Sequence, residues 1–335
     1  MGVRKLMRLI GEKCTQDGPR SGSQSIHFTM LRGKTIVVDA SIYMYKFKQD
    51  GVFAELFYSF VSTMKHYGIT PIFVFDGKPS GNKTQTLSTR RDVRVSSTTQ
   101  YDRCVGELTV LKDELDIATN TPGTSSLALR DMKQSIVRMT HKIGLLRKAS
   151  VVLTGADFAV ARTILDAMGV FHTTPSYEAD PLCAKFVISG MAYACMSEDT
   201  DMFVYGCTRV IRSVNVVARK CMLYTTGDIM RTLGVSLRVF RAITFLAGND
   251  YGQNMGGFDK AYNVWKGMKD VDAFIHHTTK VLGETDVSYV EMNDEYDMSM
   301  CDDAVHAYSK ERHSLRCERS VVHSVMRNHG FIYVC

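Results

Sequence analysis

The chain has 335 residues, 45% of them hydrophobic, and its 41 Lys and Arg against 35 Asp and Glu leave a net charge of +6. That is enough apolar material for a substantial core, which excludes a disordered chain; no run of 18 apolar residues exists, which excludes a membrane-spanning helix. Nine cysteines are scattered without a C-x-x-C pair, a pattern of reduced apolar fillers in an intracellular, reducing compartment that argues against disulfides and zinc.

In chain order, Leu6 to Ile10 carries a short apolar helix signal, followed by a Gly/Ser/Pro-rich stretch from Gly18 to Ser25. Thr35-Ile36-Val37-Val38 reads as a buried strand ending at Asp39, and Pro71-Ile72-Phe73-Val74-Phe75 as another ending at Asp76. Between them, Ile42 to Tyr67 has apolar residues at near-helical spacing, with Gly68 as the stop. Residues 82–150 break this rhythm. They are Ser/Thr-rich from Thr84 to Thr99 and interrupted at Thr121-Pro122-Gly123-Thr124, which predicts an insertion of helices joined by mobile loops. Strand–helix alternation resumes near Val151 and runs to about Tyr224. Within it Glu178-Ala179-Asp180 opens a helical pattern, and the run Ala192 to Met196 leads into Ser197-Glu198-Asp199-Thr200-Asp201. From Ile229 onward the pattern is helical; Phe245 to Asn249 leads into Asp250, and a glycine-rich turn follows at Gly252 to Gly257.

Seven acids therefore stand where strands end or helices begin: Asp39, Asp76, Glu178, Asp180, Asp199, Asp201 and Asp250. Ligands of parallel sheets gather outside the carboxyl ends of the strands, so acids placed there converge on one crevice. Such a cluster repels itself, and the usual compensation is a hard divalent cation with oxygen ligands, most often Mg²⁺ bridging to a phosphate. Between Lys78 and Lys148 there are 13 Lys and Arg against seven Asp and Glu, so this segment alone carries a charge equal to the whole chain's excess. A basic segment beside an acidic metal site suits a phosphodiester substrate; a solvated helical face is the plainer reading of the same charges.

The motifs then carry a resemblance. The chain opens Met1-Gly2-Val3-Arg4 and continues with Val-Asp-Ala-Ser-Ile-Tyr at 38–43, Val-Phe-Asp-Gly-Lys-Pro at 74–79, Pro-Ser-Tyr-Glu-Ala-Asp at 175–180, Ser-Glu-Asp-Thr-Asp at 197–201 and Leu-Ala-Gly-Asn-Asp-Tyr at 246–251. In that order and at those intervals the sequence resembles the flap endonuclease branch of the XPG family of structure-specific 5′ nucleases over roughly residues 1–270. The resemblance implies an α/β fold: a mostly parallel central sheet flanked by helices, PIN-like, with a helical cap insertion and a C-terminal helix-two-turn-helix. It divides the chain into an N-terminal nuclease block (1–81), a helical gateway and cap (82–150), an internal nuclease block (151–251) and a helix-two-turn-helix region with C-terminal helices (252–335). It also implies two Mg²⁺ ions, with Mn²⁺ able to substitute, the first held by Asp39, Asp76, Glu178 and Asp180 and the second by Asp199, Asp201 and Asp250. Asp180 departs from the family's longer Glu, and Pro181 after it leaves open that its carboxylate caps a helix instead.

Lys83 and Arg90, seven residues apart on the first helix of the insertion, match two basic residues that reach the scissile phosphate. Arg91 and Arg94 read as general phosphate contacts, Tyr45 as a platform for a base next to the cleaved bond, and Gly2 as a residue buried near the site. The resemblance also implies a cap that orders around a single-stranded 5′ end, and the low apolar content from Thr84 to Thr99 fits a segment that is disordered without substrate. Tyr43, Tyr45 and Phe47 alternate on an apolar segment, so a core role for any of them stays open. Beyond Asp250, Gly256, Gly257 and Lys260 match a turn that grips duplex backbone and often holds K⁺. Here the second glycine is displaced, which predicts strain at Phe258 and no specific monovalent ion. No clamp-binding box or basic tail is present, as suits a pared-down, monomeric version from a virus or small genome, acting in the nucleus or, if viral, in the cytoplasm. The expectation is an enzyme that cuts DNA carrying a 5′ single-stranded flap next to flanking duplex, without a membrane. Exonuclease, junction- or bubble-cutting activity, an RNA-directed nuclease and an inactive nucleic-acid scaffold are the alternatives.

Overall fold

A computed structural model describes residues 3, 5–14, 22–77, 84–247, 257–282 and 298–331; for residues 14, 84–90, 93, 279 and 282 it describes the backbone alone. The chain divides into two units, one of Met1–Met44, Ala54–Lys83 and Ala156–Cys335, the other of Tyr45–Phe53 and Thr84–Gly155.

The first unit is built on a seven-stranded sheet. Its strands are β1 (Ser23–His27), β2 (Thr35–Asp39), β3 (Thr70–Val74), β4 (His172–Thr173), β5 (Ala194–Met196), β6 (Arg209–Asn215) and β7 (Lys220–Thr225), in the order β1-β7-β6-β5-β2-β3-β4. The strands from β6 across to β4 run parallel, while β7 and β1 are antiparallel additions. Ile36, Val37, Val38, Ile72, Phe73 and Val74 are fully buried, because helices cover both faces of a parallel sheet. β1 departs from the sequence reading, which put a polar connection as far as Ser25. As an edge strand it buries only Ile26, too little to leave an apolar alternation in the sequence.

The apolar segment from residue 40 to 66 forms two helices, α2 (Ala40–Asp50) and α3 (Phe53–His66), rather than one; Gly51 breaks them with φ +91°. α3 presents Phe57, Phe60, Val61 and Met64 as one stripe at i, i+3, i+4 and i+7. Phe57 and Phe60 meet Phe73 of β3 with ring centroids 5.4 and 6.2 Å apart. Each such burial is worth roughly 1.5–3 kcal/mol of transfer free energy, so this stripe fixes α3 on the sheet. α1 (Leu6–Cys14), α6 (Gly155–Ala167), α7 (Ala179–Ile188), α8 (Asp201–Val204), α9 (Thr226–Leu233), α10 (Leu237–Ala247), α11 (Phe258–Met268), α12 (Val271–Leu282), α13 (Asp302–Glu311) and α14 (Arg319–Asn328) complete the described helices. Their core is aromatic: Phe240 meets Phe258 at 5.3 Å, Trp265 meets Phe274 at 5.3 Å, and Tyr308 of α13 packs on Phe171 and Phe186. No described helix is long and apolar enough to cross a membrane.

The second unit is a hairpin of two long helices, α4 (Thr84–Asn120) and α5 (Ser126–Ser150), with Ser125 capping α5 through its hydroxyl. The loop between them is short. The Ser/Thr-rich stretch, expected to order only around a ligand, is helical here. Thr98 and Thr99 donate to the carbonyls of Arg94 and Val95, and Thr109, Thr119 and Thr121 repeat the pattern. Each hydroxyl is satisfied on its own helix instead of competing with it. α5 buries no residue. Its last turn is held to the end of α2, with Arg147 donating to the Gln49 carbonyl and Gln49 to the Lys148 carbonyl.

Candidate metal centre

β2 leads to β3 on one side of the sheet, and the chain returns to its other side as β5, so the β2–β5 pair is the switch point of the topology. Crevices open outside the carboxyl ends of strands at such a point. Asp39 is the last residue of β2, Asp76 lies two residues beyond β3, Asp199 lies in the turn after β5, and Asp201 is the first residue of α8. Asp39, Asp199 and Asp201 are buried, Glu178 and Asp180 are half-buried, and Asp76 is exposed.

Hydrogen bonds lock this turn. The Ser197 hydroxyl donates to Asp39 Oδ2 at 3.1 Å and accepts from the Asp199 N–H at 3.1 Å, and Asp199 Oδ1 accepts from the Asp201 N–H at 3.0 Å. Thr200 Oγ1 accepts from the Val3 N–H at 2.6 Å, fastening the N-terminal segment beside the acids. Glu198, the acid of this motif left out of the metal set, turns to β6, where it accepts from the Ser213 N–H at 2.7 Å. Across the crevice, Asp76 Oδ1 accepts from the Ala179 N–H at 3.1 Å. This carboxylate caps α7, whose own N-cap residue, Glu178, makes no side-chain cap. Asp180 sits inside the first turn, not ahead of it, and Pro181 fits there because that turn's N–H groups have no partner within the helix. The helix is therefore capped by Asp76 and not by Asp180.

The charges act on one another. Burial, then the charge of Asp76, raises the Asp39 carboxyl to about 8; Asp199 adds to the rise and the Ser197 hydrogen bond opposes it. Asp180 is also raised, by desolvation first and then by Asp39, Asp199, Asp76 and Asp201. Five of the seven expected acids thus share one field. Asp39 Oδ1 is buried without a hydrogen-bond partner among the described residues. No group of three or more potential ligands among the described residues is drawn together closely enough to hold an ion. The donors nevertheless fit a hard divalent cation: they are carboxylate oxygens, partly desolvated and close enough for their charges to act on one another. Asp250 lies outside the described residues. The nearby thiols have no part in this set, and burial pushes that of Cys183 up to about 11, as befits an inert filler.

Of the expected nucleic-acid contacts, Tyr45 is separated from its neighbours by α2. Tyr43 and Phe47 are buried, Tyr43 stacking on Phe60 at 4.9 Å, whereas Tyr45 is 36% exposed. In the second unit Arg91 is exposed and Arg94 half-buried on α4. Gly2, Lys83 and Gly256 lie outside the described residues, as does the side chain of Arg90. The strain expected at Phe258 is absent. Gly257 takes the positive φ, +112°, and Phe258 is the first, fully buried residue of α11. The displaced glycine sits where the positive φ falls, so Phe258 carries no strain that would keep a monovalent ion from this turn. Lys260 is exposed on the first turn of α11. Sequence reasoning missed Ser197 and Thr200, which lack charge; their place in the turn directly after a strand was the available signal.

The XPG N-terminal domain matches residues 1–97 and the XPG I-region residues 169–250, together more than half of the chain. Flap endonuclease 1 of Methanococcus aeolicus is 25% identical over 70% of this chain and 67% of its own length. That of Theileria annulata is 25% identical over 82% and 51%, and flap endonuclease 1-1 of Paramecium tetraurelia 24% over 85% and 69%. The chain spans about half to two thirds of these relatives. Among solved structures, the catalytic core of Rad2 in complex with DNA substrate superposes with a TM-score of 0.56 at 16% identity, covering 93% of this chain and 81% of that one. Human GEN1 in complex with Holliday junction DNA gives 0.53 at 15%, over 95% and 67%. Flap endonuclease-1 from Methanococcus jannaschii gives 0.50 at 17%, over 91% and 96%. At these identities the superpositions speak for the fold. The chain belongs to the XPG family of structure-specific 5′ nucleases. By that membership it is a nuclease, a hydrolase acting on phosphodiester bonds.

Proposed function

We propose that this protein is a divalent-metal-dependent DNA endonuclease that cuts 5′ flaps near the junction of single strand and duplex. The observation that carries this reading is the placing of Asp39, Asp76, Asp199 and Asp201 at or just beyond the carboxyl ends of adjacent parallel strands, with Asp180 in the first turn of α7. Burial first, then the charges of Asp76 and Asp199, raise Asp39 to about 8, and desolvation with the charges of the other four raises Asp180. Asp39, Asp76, Glu178 and Asp180 would hold one Mg²⁺ and Asp199, Asp201 and Asp250 a second, with Mn²⁺ able to replace either. When bound, such ions supply a water of lowered pKa and neutralise charge on the departing oxygen.

The protein's own groups do the rest. Lys83 and Arg90 stabilise charge developing on the phosphate. Arg91 and Arg94 contact phosphates of the single strand, and Tyr45 offers its exposed ring to a base, a sequence-tolerant contact. Gly2, Gly256 and Gly257 allow close approach of backbone to DNA, and Lys260 pairs with the duplex backbone. The enzyme acts as a monomer, inside the cell where DNA is replicated or repaired.

The test is cleavage of end-labelled DNA flap, nick, bubble, four-way junction and single-stranded substrates, with an RNA flap at matched salt, in Mg²⁺ or Ca²⁺. Cutting of the DNA flap within a few nucleotides of the junction in Mg²⁺ alone is expected. Preference for the four-way junction, the bubble or the RNA flap would replace the flap assignment. Binding without cleavage of any substrate would leave a nucleic-acid scaffold.

A further inference from the structure

The register of the sheet sets Ser197 beside Asp39. β2 and β5 run parallel with Val38 opposite Met196, so the next residue of each strand, Asp39 and Ser197, stands at the same level where both chains leave the sheet. Ser197 is fully buried, and its N–H donates to the Ile211 carbonyl of β6 at 3.2 Å, which fixes its backbone. A hydroxyl has one proton and two lone pairs. Here the proton goes to Asp39 Oδ2 and a lone pair to the Asp199 N–H. Asp199 in turn receives the Asp201 N–H. One hydroxyl thus joins the carboxylate at the end of β2 to the backbone of Asp199, whose own carboxylate receives the Asp201 N–H, so it links acids assigned to the two expected ions. Among the described residues it is the only side chain hydrogen-bonded to Asp39.

We propose that Ser197 is a positioning residue: it fixes Asp39 relative to Asp199 and Asp201, and through that spacing sets the divalent affinity of the cluster. The inference rests on the metal-centre reading above. Residues that orient ligands without touching the ion typically contribute 10–100-fold to metal affinity. A hydroxyl with a merely structural role would contribute to stability alone.

The experiment is calorimetric titration of the full chain with Ca²⁺, without DNA, paired with thermal unfolding of each variant. Ser197→Ala should weaken Ca²⁺ binding about tenfold or more. Thr278→Val is the control, because it deletes an equally buried hydroxyl, bonded to the Phe274 carbonyl on a helix that carries none of the seven acids. It should lower the melting temperature yet leave Ca²⁺ affinity within about twofold. If Ser197→Ala does not fold, the isosteric pair Ser197→Thr and Ser197→Val carries the same comparison, threonine binding Ca²⁺ more tightly than valine. Wild-type affinity in Ser197→Ala, or equal affinity in threonine and valine, overturns the proposal while sparing the metal centre. Absence of Ca²⁺ binding by the wild type overturns both.

Discussion

Asp39 is buried, hydrogen-bonded by the Ser197 hydroxyl and faced by other carboxylates; in the proposed metal centre its proton and a divalent cation would compete for the same oxygens. Its folded pKa, about 8, lies above the ordinary value of 3.8, so the folded protein holds this proton more tightly than the unfolded chain. Metal-free protein should therefore lose stability as pH rises from about 4 through about 8. Thermal melts in chelator across that range should show the decline. Asp39→Asn should flatten it and stabilise the metal-free protein at pH 8 by on the order of 1–3 kcal/mol, while removing cleavage. A melting temperature that climbs over this interval would refute the field attributed to the cluster. Asp199→Ala tests the other half of the set: it should abolish cleavage yet leave flap affinity within a few-fold, since basic residues supply most of the binding. Turnover at the wild-type rate in this variant would remove Asp199 from the site.

Among the connecting elements, the loop that carries Asp76 is pressed against the loop that carries Glu178. The Gly77 N–H donates to the Tyr177 carbonyl at 3.0 Å, and a Cβ on Gly77 would stand 2.0 Å from the Pro175 carbonyl oxygen and 2.4 Å from that of Tyr177. Backbone cannot yield as a flexible side chain does, so Gly77→Ala must push the two loops apart. It should cost about 2–4 kcal/mol of stability and weaken divalent binding beyond what that loss explains, as denaturant melts and calorimetry would show. The Tyr177 hydroxyl donates to the Met300 carbonyl at 3.1 Å, and Tyr308 of α13 packs on Phe186 of α7. The segment from Met298 to Glu311 thus braces the helix that opens with Glu178. Nothing in the sequence pairs residue 177 with residue 300. On α4 composition alone does not show where the hydroxyls go either; Thr98 and Thr99 donate to carbonyls four residues back on their own helix.

For the molecule as a whole, modest net charge conceals segregation: acids gather at the strand ends of the first unit and an excess of bases lies between Lys78 and Lys148. Affinity for flap DNA should fall about 10²–10³-fold between 50 and 200 mM salt, measured by fluorescence anisotropy in Ca²⁺. A flat response would mean that the basic segment is a solvated face. Lys83→Ala and Arg90→Ala should each slow single-turnover cleavage by about 10²–10³ with much smaller changes in that affinity. Recovery of the full rate at saturating enzyme would assign both residues to binding.

The sequence by itself determined the strands that bury both faces, the acids placed at their ends and the family, because hydrophobic runs and motif order are local properties of the chain. It also separated the basic insertion from the α/β framework. Tertiary structure alone decided which neighbours those acids meet. The β2–β5 register sets Ser197 against Asp39, the approach of two loops at Gly77 brings Asp76 to the start of α7, and the start of α11 places positive φ on Gly257 and spares Phe258. These contacts join residues distant in sequence through hydrogen bonds that leave no periodic trace. Burial, which turns a row of carboxylates into a cluster that holds its protons more tightly, exists only once the sheet and its helices have closed around them.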